Sequence, residues 1–393
     1  WSFAMDSLKH ALFFSFLVVA TIAMSDASSS SVRGGYYPDW ATDYPPSSIN
    51  TTLLTHIFYA FLLPNNATFG FNVSDLDAKN YVNFTSTLHG KRPPAKALIS
   101  IGGGGNDPNF YAKMASQAST RKIFIDSAIK VARVYGFDGL DLDWEFPTNQ
   151  VEMDDLGQLF KEWRAAITVE ARSSRRSPLL LTAAVYFSVD FFLDSTNRRY
   201  PVAEINQNLD WINVMCYDYH GSWDTTATGA PAALYDPTSN ISTSYGLTSW
   251  VNGGLLRHKV VMGLPLYGRT WKLKDESNHG IGAPSIGVGP GEDGVLTFTQ
   301  VESFNTENNA TVVYDEETVS TYSYAGTSWV GYDDVRSTNG KVKYARTLDL
   351  GGYFFWAISY DPQSEITSAA SLTWRSLKIN NKGHSLRGSH TFG

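Results

Sequence analysis

One cysteine, Cys216, stands among 393 residues. No internal disulfide can brace the chain, so its stability has to come from a buried core. Positive charge is also sparse: 31 Lys and Arg face 38 Asp and Glu, for a net charge of −7. No basic stripe or basic run interleaved with aromatics occurs, which removes the electrostatic footprint of nucleic-acid binding. The eight histidines form no His-x-x-x-His or His-Glu-x-x-His pairing, so a zinc site has no support. The Gly-rich run Ser100 to Gly105 lacks the spacing and the Lys of a phosphate cradle.

What is present suits one large globular domain or two smaller ones, with 43% hydrophobic residues. At the N-terminus, Lys9 and His10 precede the apolar run Ala11 to Ala23, and small residues follow to Ser31. That layout reads as a secretory signal peptide over residues 1–27, cleaved near Ser25-Asp26-Ala27, with Met5 as initiator and residues 1–4 as upstream sequence. A membrane anchor is the alternative, but the run falls short of the roughly 20 residues that a spanning helix needs. Asn-x-Ser/Thr acceptors at Asn50, Asn66, Asn72, Asn83, Asn240 and Asn309 suit the secretory route as glycosylation candidates. The end, residues 375–393, is polar and Gly/Ser-rich, with Arg375, Lys378, Lys382 and Arg387 and no acid. It is expected to be a flexible tail, with a sorting signal as the other reading. The expected location is extracellular, or vacuolar if the tail sorts the protein.

Short apolar runs recur at Val32 to Tyr37, His56 to Phe61, Ala97 to Ile101, Gly139 to Glu145, Leu179 to Val185, Trp211 to Tyr217, Val260 to Leu264 and Gly352 to Ile358. Helical patterns lie between them, such as Ile125, Ile129 and Ala132, or Leu156, Phe160 and Trp163. Apolar strands alternating with helices imply a parallel sheet covered by helices. Eight units predict a (β/α)8 TIM barrel over residues 28–374. From residue 272 to 347 the chain is Gly-rich and β-leaning, too long for a bare loop. A small α+β insertion between strands seven and eight is expected there, walling one side of a cleft.

The stretch Asp138-Gly-Leu-Asp-Leu-Asp-Trp-Glu-Phe-Pro147 places four carboxylates in an apolar, strand-like setting. Strand parity puts Asp141, Asp143 and Glu145 on one face, roughly 6 to 7 Å apart, with Asp138 on the other. Three carboxylates in a low-dielectric tube cannot all ionise cheaply, so one should hold a proton near neutral pH. Acids at the C-terminal end of a barrel strand sit where barrel enzymes do chemistry. Two other readings compete. A solvated acidic loop is opposed by the apolar flanks and by Pro147, and a divalent-metal site is opposed by carboxylates that lie in line and do not surround an ion.

The stretch resembles the Asp-x-x-Asp-x-Asp-x-Glu signature of family eighteen glycoside hydrolases, and the chain as a whole resembles the plant class V chitinases. Support is spread in order along it: Gly34 to Trp40 (GGYYPDW), His56 to Phe61 (HIFYAF), Ser100 to Gly103 (SIGG), Met215 to Gly221 (MCYDYHG), Gly263 to Trp271 (GLPLYGRTW) and Gly351 to Asp361 (GGYFFWAISYD). The resemblance implies a secreted enzyme that cleaves β-1,4 links between N-acetylglucosamine units, with chitin or its oligosaccharides as partner. It implies neither cofactor nor metal, no nucleic acid, no membrane after signal removal, and a monomer. The substrate's acetamide would act as nucleophile, so no opposing carboxylate is required.

By the same resemblance Glu145 is the general acid and base, Asp143 orients the acetamide, Asp141 shares a proton with Asp143, and Tyr217 orients the acetamide carbonyl. Met215, Asp218 and Trp356 would line the sugar site. Tyr36, Trp40, Phe61, Tyr267 and Arg269 would line it or its neighbours. Asp138, Ser100, Gly102 and Gly103 are expected to be structural. Gly104 and Gly105 stand where many animal members have an aromatic, which favours endo-cleavage over processive action. A chitinase-like lectin and an enzyme for lipochito-oligosaccharides are the competing functions.

Overall fold

The computed structural model describes residues 31–193 and 196–384. The expected signal peptide and residues 385–393 of the expected tail lie outside the described residues. Eight parallel strands close into a barrel: Val32–Pro38, His56–Leu62, Lys96–Gly102, Gly139–Asp143, Leu180–Val185, Trp211–Val214, Val260–Pro265 and Gly352–Trp356. All eight predicted runs are present, and the last strand closes on the first through Val32 opposite Gly352. The fourth, sixth and eighth strands end earlier than expected, at Asp143, Val214 and Trp356. Glu145 and Tyr217 therefore sit on the loops just past the strand ends.

The helices follow local signals. Ser74 and Asp77 form a reciprocal capping box that starts helix Asp75–Gly90. Asn149 accepts from the Glu152 amide to start Gln150–Ser174. Gly136, at φ +81°, ends Ala118–Tyr135. The two predicted apolar stripes are buried on these helices: Ile125, Ile129 and Ala132 on one, Leu156, Phe160 and Trp163 on the other. Most of the core lies between barrel and helices. A smaller aromatic cluster with Tyr36, Phe58, Trp211 and Phe354 fills the barrel itself.

The insertion is an antiparallel sheet ordered Ser285–Val288, Tyr267–Leu273, Ser328–Tyr332, Ser320–Ala325 and Thr311–Asp315. Trp271, Tyr322 and Trp329 form its own core. Its limits differ from the expected 272–347. It opens at Tyr267, directly after the seventh barrel strand, and helix Val335–Thr347 packs against the last strand and the final helix as a barrel helix. That helix was hidden because its buried face is polar: Thr338 and Lys341 point inward beside Val342 and Ala345. Lys341 is tolerated there because it donates to both oxygens of buried Asp333, at 2.5 and 2.6 Å. A second difference is at the end. Helix Glu365–His384 carries regular structure ten residues beyond Trp374, into the segment expected to be a flexible tail.

Candidate active site

Parallel register explains how the acids are held. Ser100, Asp141 and Thr182 lie side by side on strands three, four and five. Both hydroxyls reach the carboxylate: Ser100 donates to Asp141 Oδ2 at 2.7 Å and Thr182 to Oδ1 at 2.6 Å. Tyr36, from the first strand, donates to Oδ2 at 2.8 Å. Asp141 is fully buried; burial pushes its pKa up, and the three hydroxyl donors restrain that rise.

One step along, Asp143 is flanked by Gly102 and Ala184, small residues that leave space around it. Gly102 is required there: at φ +117°, a Cβ would lie 2.1 Å from the Asp143 carbonyl oxygen. At Gly103 a Cβ would lie 2.6 Å from the Phe61 ring. Asp143 hydrogen-bonds Glu145, and its Oδ1 is buried without a hydrogen-bond partner. Burial, then Glu145, then Asp141 drive the Asp143 pKa well above the carboxylate range. Burial first and the Asp218 charge second raise Glu145 to about 7, against hydrogen bonds from Asp143 and the Gly104 backbone. The Asp143–Glu145 pair thus holds a proton at neutral pH, and Glu145 is poised to give it up.

Above the acids opens a cleft of about 670 Å3, built from strand ends and the loops after them. Of the predicted residues, Tyr36, Trp40, Phe61, Asp143, Glu145, Met215, Tyr217, Asp218 and Trp356 line it. Phe61 stacks on Trp356 at 5.7 Å and 22°, and Trp40, 54% exposed, lies 6.3 Å from both rings. Tyr267 and Arg269 do not line the cavity. They come from the insertion and fix Asp218, whose Oδ1 accepts from the Tyr267 hydroxyl at 2.8 Å and from Arg269 at 2.8 and 2.6 Å. Ser100 and Asp141 lie beneath the floor. Asp138 lies at the opposite end of the strand, bound by Lys96, His89 and the Ala97 amide at 2.8, 2.8 and 2.9 Å.

Several groups of the site escape sequence reasoning. Thr182 is a donor to Asp141 equal to Ser100, and only the strand register reveals it. Asn213 donates to the Tyr36 hydroxyl at 3.1 Å. Phe146, Tyr186, Phe187 and Ile241 add an apolar wall, and Trp223, 60% exposed, joins them under the Arg269 guanidinium, 5.0 Å from its ring. Trp223 lies two residues beyond the Met215 to Gly221 motif, so its nearness in the chain was the available signal. Among the described residues, no cluster of His, Cys, Asp or Glu could hold a metal ion.

A buried file of hydrogen-bonded acids at the C-terminal mouth of a barrel, under stacked aromatics, defines a glycoside-hydrolysing enzyme. The model of Glycosyl hydrolases family 18 matches residues 32–361, so the chain belongs to that family. Over 352 residues it is 51% identical to "Nod factor hydrolase protein 1" of Medicago truncatula, covering 88% of this chain and 91% of that protein. It is 48% identical over 333 residues to "Class V chitinase CHIT5b" of the same plant, covering 84% and 88%. Among solved structures, the GH18 chitinase of Cycas revoluta in complex with (GlcNAc)3 superposes with a TM-score of 0.84 at 45% identity, covering 88% of this chain and all of that one.

Proposed function

We propose that the protein is a chitinase that hydrolyses β-1,4 links between N-acetylglucosamine units of chitin and chito-oligosaccharides, with retention of anomeric configuration through the substrate's own acetamide. The observation that carries this reading is Asp143, buried at the floor of the cleft and hydrogen-bonded to a Glu145 that holds a proton near pH 7. The third acid of the cleft, Asp218, has one oxygen taken by Tyr267 and Arg269. Asp143 stands in line with Glu145 on one face of the same strand and Asp218 is tied by Tyr267 and Arg269, which supports a nucleophile that arrives with the sugar.

Glu145 protonates the glycosidic oxygen and then takes a proton from the incoming water. Asp143 accepts the acetamide N–H and balances the positive charge that develops on the oxazolinium ring. Asp141, locked by Tyr36, Ser100 and Thr182, lies beneath Asp143 and favours its protonated form. The Tyr217 hydroxyl orients the acetamide carbonyl, and the Trp356 face carries the apolar face of the sugar. The Cycas relative bound to (GlcNAc)3 supports the substrate class. Secretion or vacuolar storage, a monomeric state, endo-cleavage and glycosylation belong to the same proposal. All six acceptor asparagines, Asn50, Asn66, Asn72, Asn83, Asn240 and Asn309, are exposed, as N-linked sugars require.

A second reading is favoured by the Medicago relative named as a Nod factor hydrolase, and by the apolar wall of Phe146, Phe187, Trp223 and Ile241: acylated chito-oligosaccharides are substrates too. The test is turnover of N-acetylglucosamine tetrasaccharide by wild type and Glu145→Gln, with the product anomer read by NMR. Loss of turnover in the variant and a β-anomer from wild type are expected. Equal turnover, or an α-anomer, overturns the mechanism. Faster release of sugar from an acylated oligomer than from its deacylated twin would establish the second reading.

A further inference from the structure

Behind one wall of the cleft lies a second cavity, of about 700 Å3. Two chain segments make the partition. On the segment after the fifth strand, Phe187 faces the cleft while Val189 faces the groove; on the segment after the sixth, Ile241 faces the cleft while Asn240 and Ser242 face the groove. The groove is therefore continuous with the cleft's apolar wall and shares its backbone.

Its lining is unlike a packed core. Tyr235 and Tyr245 are 42% and 41% exposed, and Tyr344 meets Tyr235 edge-on at 5.8 Å and 86°. Hydroxyls and amides make up much of the rest. The charged groups are engaged with one another or with neighbours: Asp190 pairs with Arg199 at 2.5 Å, and Asp236 accepts from Thr238 and Ser239. An anion finds no uncommitted cation there, and a cation finds no open carboxylate pair. Flat aromatic faces beside neutral hydroxyl partners suit a neutral sugar, whose C–H face rests on a ring while its hydroxyls meet polar side chains.

We infer that this groove is a second saccharide-binding site, which holds N-acetylglucosamine units of a chitin chain too long for the cleft alone. The inference rests on the proposed substrate. It adds a site that acts in adhesion to polymer and leaves the chemistry at Glu145 untouched. The occupant that competes with it is an N-linked glycan on Asn240, whose side chain lines the same groove.

The experiment compares wild type with the double variant Tyr235→Ala/Tyr245→Ala for retention on colloidal chitin and for turnover of the tetrasaccharide. Unchanged tetrasaccharide turnover with a loss of about tenfold in apparent affinity for the polymer, about 1.4 kcal/mol, is expected. Tyr235→Phe/Tyr245→Phe, which keeps both rings, should retain binding. Equal retention by wild type and the alanine variant overturns the inference. Should the alanine variant lose tetrasaccharide turnover as well, Thr248→Arg, on an exposed groove position, decides instead: loss of polymer retention supports the site and full retention overturns it. Mass spectrometry of protein from a secretory host tests the competing occupant, since a glycan on Asn240 that shields both tyrosines from solvent labelling overturns the inference. If wild type cleaves no tetrasaccharide, the proposed activity fails, while the retention comparison still decides the groove.

Discussion

The two ends of the fourth barrel strand carry the same residue type under opposite electrostatic rules. At the N-terminal end, burial would raise the Asp138 pKa, but Lys96, the Ala97 amide and His89 outweigh it and hold the carboxylate below its usual range. At the C-terminal end no cation among the described residues pairs with Asp141, Asp143 or Glu145, and burial raises all three, joined by repulsion from Glu145 and Asp141 at Asp143 and by the Asp218 charge at Glu145. A short stretch of one strand separates a carboxylate that braces the fold from carboxylates that store a proton. What differs is the partner each side chain meets and whether water reaches it.

The contrast is most exposed to test at Glu145. Glu145→Gln should lower kcat for the tetrasaccharide by about 10²–10⁴-fold while leaving binding intact by calorimetry. Asp143→Asn should come next, with a loss of about 10²–10³-fold in kcat; a variant that keeps full kcat would detach Asp143 from the transition state.

Asp138→Ala should do the reverse, leaving kcat and KM unchanged and costing about 1–3 kcal/mol of stability by denaturant unfolding. The pH dependence carries opposite signs at the two ends. Because the fold lowers the Asp138 pKa, its contribution is fully present above the ordinary carboxylate value near 4 and is lost as pH falls from there through the lowered folded value. The deficit of the Asp138 variant should therefore shrink in acid. Because the fold raises Glu145 to about 7, the folded state binds the extra proton. Wild-type stability then falls as pH rises from the unfolded value toward 7, and Glu145→Gln should melt higher than wild type at pH 8.

The smallest effect is expected from Asp218→Asn. Removing the charge that helps raise Glu145 should move the basic limb of kcat/KM to lower pH by a fraction of a unit. A limb that stays in place would assign it to another group.

The barrel was legible because each strand is a short apolar run and helices such as Ala118–Tyr135 and Gln150–Ser174 carry a 3.6-residue stripe, patterns that burial imposes locally. The acid file was legible for a related reason: parity alone puts Asp141, Asp143 and Glu145 on one face. Helix Val335–Thr347 was not legible, since its inward Lys341 makes sense only once Asp333 is known to lie opposite. The place of Tyr267 and Arg269 was equally hidden. Motif matching set them at or beside the sugar, and only the fold of the insertion shows that both donate to Asp218.

The eight-unit alternation, the family signature and the order of carboxylates along one strand are fixed by the chain alone, because they depend on neighbours within a few residues. Packing in three dimensions settled the rest. It chose which carboxylate meets a cation and which meets only hydroxyls, set Thr182 beside Asp141 by strand register, and left the Asp143 Oδ1 without a partner. Those outcomes depend on desolvation and on groups far apart in the chain, and a carboxylate's proton affinity follows from its surroundings in space.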